Sequence, residues 1–197
     1  MTPPDIGRQY DKIAQWWQDY HINSDYGVAQ VERALAMASK GGKALDVGCG
    51  AGGRLVRLMK THGFDVTGLD ASAEMIKLAQ GNHPDDHFFV GDICHWDTDN
   101  TFDFILAWDS LFHLPLNLQE PVLSKLCKRL SQGGIMIHSF GDAVGAHIDE
   151  WHGQTFHYSS VGVTRNIDIL RRHGLSLRHL ELDQFPEKHA YIISQKM

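Results

Sequence analysis

Short apolar runs and amphipathic stretches alternate along this chain. Ala44, Leu45 and Val47 suit a buried strand, four glycines (Gly48, Gly50, Gly52, Gly53) interrupt it, and Leu55, Leu58, Met59 and His62 then recur at helical spacing until Gly63. The unit is strand, tight loop, helix. It is followed by an apolar run at residues 64–69, a helix capped by Ser72 that carries Met75, Leu78 and Ala79, and strand-like runs at residues 87–90 and 102–107. A helix starting near Pro121, with Val122, Leu123, Leu126 and Leu130 inward and an end at residues 131–134, leads to a fifth strand at residues 135–140. Residues 141–163 show no clear period. Ile167, Ile169 and Leu170 then suggest a short helix, and residues 175–182 and 189–194 suit an antiparallel closing pair. Two further helical stripes precede the glycines: Ile13, Trp16, Trp17 and Tyr20, then Val31, Leu35 and Ala38. Such alternation predicts an α/β fold with a mostly parallel sheet.

Composition narrows the picture. A chain of 197 residues, 43% hydrophobic and without charged or low-complexity blocks, predicts one domain over residues 1–197 with a substantial core. The net charge of −6 argues against a general phosphate-backbone binder, so no nucleic-acid partner is expected. Cys49, Cys94 and Cys127 form no C-x-x-C pair, which points to a reducing compartment. The first residues lack a signal-like apolar core and no run is long enough to span a bilayer, so the expectation is a cytoplasmic protein without a membrane partner. Of the 13 histidines, His147, His152 and His157 recur every five residues and share neither a helical nor a strand face; no metal site is read from them.

The spacing Gly48-x-Gly50-x-x-Gly53 also fits a dinucleotide fingerprint, a weak signal by itself. Two acids weigh against a diphosphate. Asp46, just before the glycines, would repel a pyrophosphate and attract a cation, and Asp70, ending the next strand, can accept both hydroxyls of a ribose. On Leu45-Asp46-Val47-Gly48-Cys49-Gly50-x-Gly52, with Asp70, Gly91-Asp92-Ile93 and the strand at residues 102–107, the chain resembles the class I S-adenosylmethionine-dependent methyltransferases over nearly its whole length. That resemblance implies a Rossmann-like three-layer sandwich, a seven-stranded sheet in the order 3-2-1-4-5-7-6 with the last strand antiparallel, and S-adenosylmethionine as cofactor (S-adenosylhomocysteine as product).

It also implies roles. Cofactor contacts are expected from Asp46, Gly48, Cys49, Gly50 and Gly52 in the loop, from Asp70, Ala71 and Met75 around ribose and adenine, and from Asp92 and Ile93 on the adenine amine and ring. Ala107 and Trp108 would meet the amino group, and Tyr10 the methionine end from an N-terminal helical lid over residues 1–42. Histidine suits proton removal near neutral pH, so His113, after the fourth strand, is the expected general base, with Asp109 beside it. Residues 141–163 occupy the place of a substrate-selecting insertion, where His152, His157 and Tyr158, with Trp17 of the lid, would contact the acceptor.

The function read from this is methyl transfer to the O or N of a small-molecule acceptor, by a monomer or homodimer. Two other readings stay open. One is a non-catalytic S-adenosylmethionine-binding regulator; the other, a NAD(P)-dependent oxidoreductase, lacks a Tyr-x-x-x-Lys pair and a substrate domain.

Overall fold

In the computed structural model, which describes all 197 residues, β1 (Gly42–Val47) is the middle strand of a seven-stranded sheet. Its last four residues are buried, because helices cover both faces of the sheet. Alternation sends Leu45 and Val47 into one apolar layer and Ala44 into the other. β1 pairs in parallel with β2 (Phe64–Asp70) on one side and β4 (Phe102–Ala107) on the other. Beyond them lie β3 (His87–Val90) and β5 (Leu130–Gly141), also parallel. β9 (His189–Lys196) runs antiparallel to β5, and β8 (Leu175–Leu182) closes the edge as its hairpin partner. Counted by its own strands, the sheet has the expected order, with the last strand antiparallel.

The crossovers are α4 (Arg54–Thr61), α5 (Ala73–Asn82) and α6 (Leu116–Arg129), while α7 (Gly162–Arg172) leads into β8. Ser72 caps α5 as expected, its side chain accepting from the Met75 amide at 3.1 Å. α6 departs from expectation: it begins at Leu116, so Pro121 lies inside it, where the missing N–H leaves the Asn117 carbonyl without a helical donor. β5 likewise starts at Leu130, paired with Phe102, before the irregularity at Gly133 and Gly134.

Two further differences concern the segments that cover the site. The N-terminal region holds three helices: α1 (Pro3–Asp11), α2 (Ala14–His21) and α3 (Val28–Leu35). The chain bends at Ile13, which interrupts the first two. Residues 144–161 form an antiparallel ribbon of β6 (Val144–Trp151) and β7 (Gln154–Val161), separate from the main sheet. β6 is exposed along nearly its whole length, so it carries no alternation of apolar and polar residues by which a strand is recognised. Only Phe156 on β7 is a fully buried apolar anchor.

Phe104 sits at the centre of β4, fully buried and packed on Phe64 with ring centroids 5.5 Å apart. Phe104→Ala should lower unfolding stability by about 3–5 kcal/mol, read from the midpoint of chemical denaturation, since neighbours on a sheet relax little into a cavity.

Candidate active site

The carboxyl ends of β1, β2 and β4 come together at one edge, where open α/β sheets bind ligands. Three backbone features shape the floor. The Gly48 and Cys49 amides both donate to the Leu69 carbonyl, at 2.7 and 3.2 Å, tying the glycine loop to β2. Gly48 has φ +76°, and a Cβ there would lie 2.3 Å from the Ser110 side chain, so only glycine lets the loop pass beneath the segment after β4. Asp70 then holds the loop from the side: its carboxylate accepts the Gly50 amide and the Ser72 amide, each at 2.9 Å, one per oxygen. A carboxylate has about four lone-pair sites, so each oxygen retains one for a further donor.

Asp46 differs. It is 4% exposed, at the end of β1 and facing the cleft, yet its side chain accepts no hydrogen bond from the protein. Burial first and the Asp70 charge second raise it to about 7. A buried acid held this way is stabilised by a cation beside it.

The lid closes the cleft from above. α1 lies so close to the end of β2 that a Cβ on Gly7 would meet the Ala71 carbonyl oxygen at 2.3 Å. Its Tyr10 ring packs edge-on against Trp17 and tilted on Phe156. Tyr10 also meets His113, from the single 3-10 turn at Leu111–His113, with its hydroxyl 3.0 Å from Nε2. His113 Nδ1 is 3.0 Å from the His157 carbonyl oxygen, which can only accept, so Nδ1 carries the proton and Nε2 accepts from Tyr10. Burial lowers the ring to about 4. It is neutral near pH 7.

Opposite, Asp109 anchors a second network. Its backbone is left-handed (φ +52°) and its carboxylate accepts from the Tyr26 hydroxyl at 2.6 Å and Ser139 Oγ at 2.9 Å, and contacts His189 Nε2 at 2.8 Å. His189 Nδ1 bonds Asp183, so both ring nitrogens donate to carboxylates and the ring is an imidazolium. Burial opposes that charge, but the bonds from Asp109 and Asp183 prevail and His189 is raised. Asp109 is the converse: burial raises it, and its bonds more than offset this and hold it low.

These elements enclose a cleft of about 160 Å³ that reaches from the glycine loop and both acids to the lid. Its lining is mostly apolar. Residues 44–134 match the family model of the methyltransferase domain, and they contribute the glycine loop, both acids and the His113 turn. Over those residues the match is to a methyltransferase domain, and the fold is that of solved S-adenosylmethionine-dependent methyltransferases.

Among proteins similar to this chain, trans-aconitate 2-methyltransferase of Rhizobium etli is 30% identical over 104 residues, covering 52% of this chain and 40% of that protein. The ubiquinone biosynthesis O-methyltransferase of Psychrobacter cryohalolentis is 31% identical over 134 residues, covering 62% and 50%. This chain thus spans half or less of the length of these two relatives. The fold of Burkholderia thailandensis 1,6-didemethyltoxoflavin-N1-methyltransferase, solved with its namesake and S-adenosylhomocysteine bound, superposes with a TM-score of 0.67 at 19% identity, over 100% of this chain and 91% of that one.

Set against this cleft, the residues expected from sequence divide. Asp46, Gly48, Cys49, Gly50, Asp70, Ala71, Met75, Ile93 and Trp108 line it, as do Tyr10, Trp17, Asp109 and His113. Six do not. Gly52 packs on Ala79 and His83 of the following helix region, Ala107 is wholly in the core, and Asp92 turns its carboxylate to the Cys94 amide and His95 Nδ1, both at 2.8 Å. His152, at the ribbon turn, stacks on Trp16 with centroids 3.9 Å apart. His157 offers its carbonyl, not its ring, to His113, and Tyr158 packs behind His113 and on His147. The ribbon therefore buttresses the lid from outside the cleft. Trp17 lies over Gly50, near the loop rather than on a separate acceptor wall. Asp109 lines the cleft with its carboxylate already taken up by Tyr26, Ser139 and His189, so it fixes the loop, one of the two roles open to it alongside accepting from a substrate amine.

His189 gives this site a signed pH dependence. Its pKa is raised on folding, so its contribution to stability is complete below the ordinary imidazole value of 6.5 and is lost as pH rises through the raised value. Thermal midpoints of the wild type should fall as pH rises from the ordinary imidazole value through the raised one, and His189→Asn should be less stable at the acid end and flatter over that rise.

Proposed function

We propose that this protein binds S-adenosylmethionine and transfers its methyl group to an O or N atom of a small-molecule acceptor. The observation that carries the reading is Asp46, a buried carboxylate without a protein partner, at the mouth of a loop whose glycines admit a ligand to the backbone. The residues fit the cofactor. Asp46 would hold its ammonium and the two spare acceptor sites of Asp70 its ribose hydroxyls, with Ala71, Met75 and Ile93 along the adenosine.

When bound, the cofactor supplies a methyl group on a sulfonium, open to in-line displacement. The protein's share is alignment and dryness, and orientation of two reactants can lower a barrier by about 7–11 kcal/mol. Tyr10 and Trp17 close the cleft against water. His113 acts as a fixed acceptor behind Tyr10, orienting its hydroxyl. At about 4 it binds protons weakly, which suits an acceptor that arrives as a neutral amine or an ionised hydroxyl. The small, enclosed, aromatic cleft and the size of the acceptors named for the similar proteins support a small molecule over a polymer.

Calorimetry with S-adenosylhomocysteine tests the cofactor reading. Wild type should bind, Asp70→Ala should cost about 1.5–3 kcal/mol, and equal binding by the two would refute the assignment. Because Asp46 must be ionised to pair with an ammonium, affinity should fall as pH drops below about 7, and Asp46→Asn should bind more weakly with that dependence removed. Release of label from a methyl-labelled donor to a panel of amines and hydroxy compounds tests the reaction. Tyr10→Phe should lower turnover on the acceptor so found by roughly 10-fold, while leaving the affinity for S-adenosylhomocysteine nearly unchanged.

A further inference from the structure

Arg54, the first residue of α4, follows the glycine loop directly and lines the cleft. Its guanidinium carbon stands 5.4 Å from the Tyr26 ring centroid and its Nε donates to the Tyr26 carbonyl. That fixes the fork. Nη1 and Nη2, however, donate to nothing in the protein, although every other arginine that bonds Asp or Glu does so through such a terminal nitrogen. Next to it His21, neutral because burial and the Arg54 charge lower it to about 4, holds a buried Nδ1 without a partner.

Among the acids, Asp109 favours the Arg54 charge most and Asp46 less, while Arg54 in turn favours the ionised form of Asp46, yet Arg54 forms an ion pair with neither. Burial works against the charges of Asp46 and Arg54. Two opposite, partly desolvated charges that face one cleft without meeting are complementary to a ligand carrying both signs close together. An α-amino acid head group does so on a single carbon. A simple anion at Arg54 would leave Asp46 facing negative charge, and a simple cation at Asp46 would leave the guanidinium fork without an acceptor.

We infer that Arg54 receives the carboxylate of the cofactor's amino-acid end through its two terminal nitrogens, while Asp46 holds the ammonium on the same carbon. The inference rests on the S-adenosylmethionine reading above. It assigns to Arg54 a binding role distinct from anchoring Tyr26, and it places the acceptor elsewhere along the cleft. Arginine rather than lysine is required because the planar fork matches both carboxylate oxygens.

The test compares two ligands that share the adenosine and thioether and differ in the head group: S-adenosylhomocysteine and 5′-methylthioadenosine. By calorimetry, Arg54→Met should weaken the first roughly 10- to 100-fold and leave the second within about twofold of wild type. Arg54→Lys, which keeps the charge and loses the fork, should fall between the two for the first ligand. Wild-type affinity of Arg54→Met for S-adenosylhomocysteine would overturn the assignment and leave the cofactor reading standing. Equal loss of both ligands in Arg54→Met and Arg54→Lys would also overturn it, since that marks a purely structural role through Tyr26. If wild type binds neither ligand, the cofactor reading fails, and this inference with it.

Discussion

The carboxylate of Asp70 is the constraint on which the site depends. By accepting the Gly50 and Ser72 amides it joins the loop after β1 to the start of α5, across two adjacent strands linked by the one crossover α4. Charge-assisted bonds of this kind are stronger and shorter than neutral ones. They fix the glycine loop before any ligand arrives. Burial nevertheless raises Asp70 as a whole, so the amides offset only part of the cost of keeping an acid there. Asp46 has no such compensation at all. One acid secures the frame and the other is left for a partner.

Around that frame two hydrogen-bond chains clamp the lid, and each one runs between distant parts of the sequence. Tyr10 reaches His113, 103 residues away, and the ribbon supports that contact from behind through the His157 carbonyl. Tyr26 reaches Asp109, 83 residues away, and Asp109 reaches His189 a further 80 residues on. The first chain is neutral and the second carries a buried imidazolium between two carboxylates. Their responses to pH are accordingly different. The N-terminal helices are thus joined to the sheet on both sides of the glycine loop rather than hinged from one.

This arrangement explains what could be read in the sequence. The strands β1, β2 and β4 lie in the middle of the sheet and are buried over most of their length, so they stand out as short, largely apolar runs between helical stretches. Asp46 and Asp70 were legible because their place is fixed by the strands they end. The ribbon was not, since β6 is solvent-facing and its histidines obey no period. α1 ends before the stripe of Ile13, Trp16, Trp17 and Tyr20 begins, and with only Pro3, Ile6 and Gly7 buried it carries no apolar stripe of its own. For Asp109 the position after β4 is visible in the sequence, but the choice between fixing the loop and meeting a substrate amine is not, because Tyr26, Ser139 and His189, which take up its oxygens, lie on three other segments. The local partners of Asp92 are equally hidden, because the turn that follows β3 supplies its own donors at Cys94 and His95. Arg54 stood in plain view beside Gly53, yet only the fold shows that its terminal nitrogens lack partners.

The two histidines of the clamps separate binding from proton transfer. His189 carries a proton because two carboxylates require it, and that proton is spent on holding Asp109 in place. His113 carries none beyond the one donated to His157, because desolvation without a nearby acid disfavours the cation. Neither ring is therefore free to take a proton from an acceptor, since His189 already holds one between two carboxylates and burial keeps His113 low. The site's polar investment lies instead in fixed donors and acceptors: a lid hydroxyl aimed by His113, an acid ready for a cation, and a second acid with two lone pairs to spare. Displacement at a sulfonium dissipates positive charge as the new bond forms, so it needs approach along one line more than it needs a proton acceptor. On the proposed reading, an aromatic cleft clamped on both sides answers that need, and the one acid in it held near neutral pH, Asp46, is reserved for a cation.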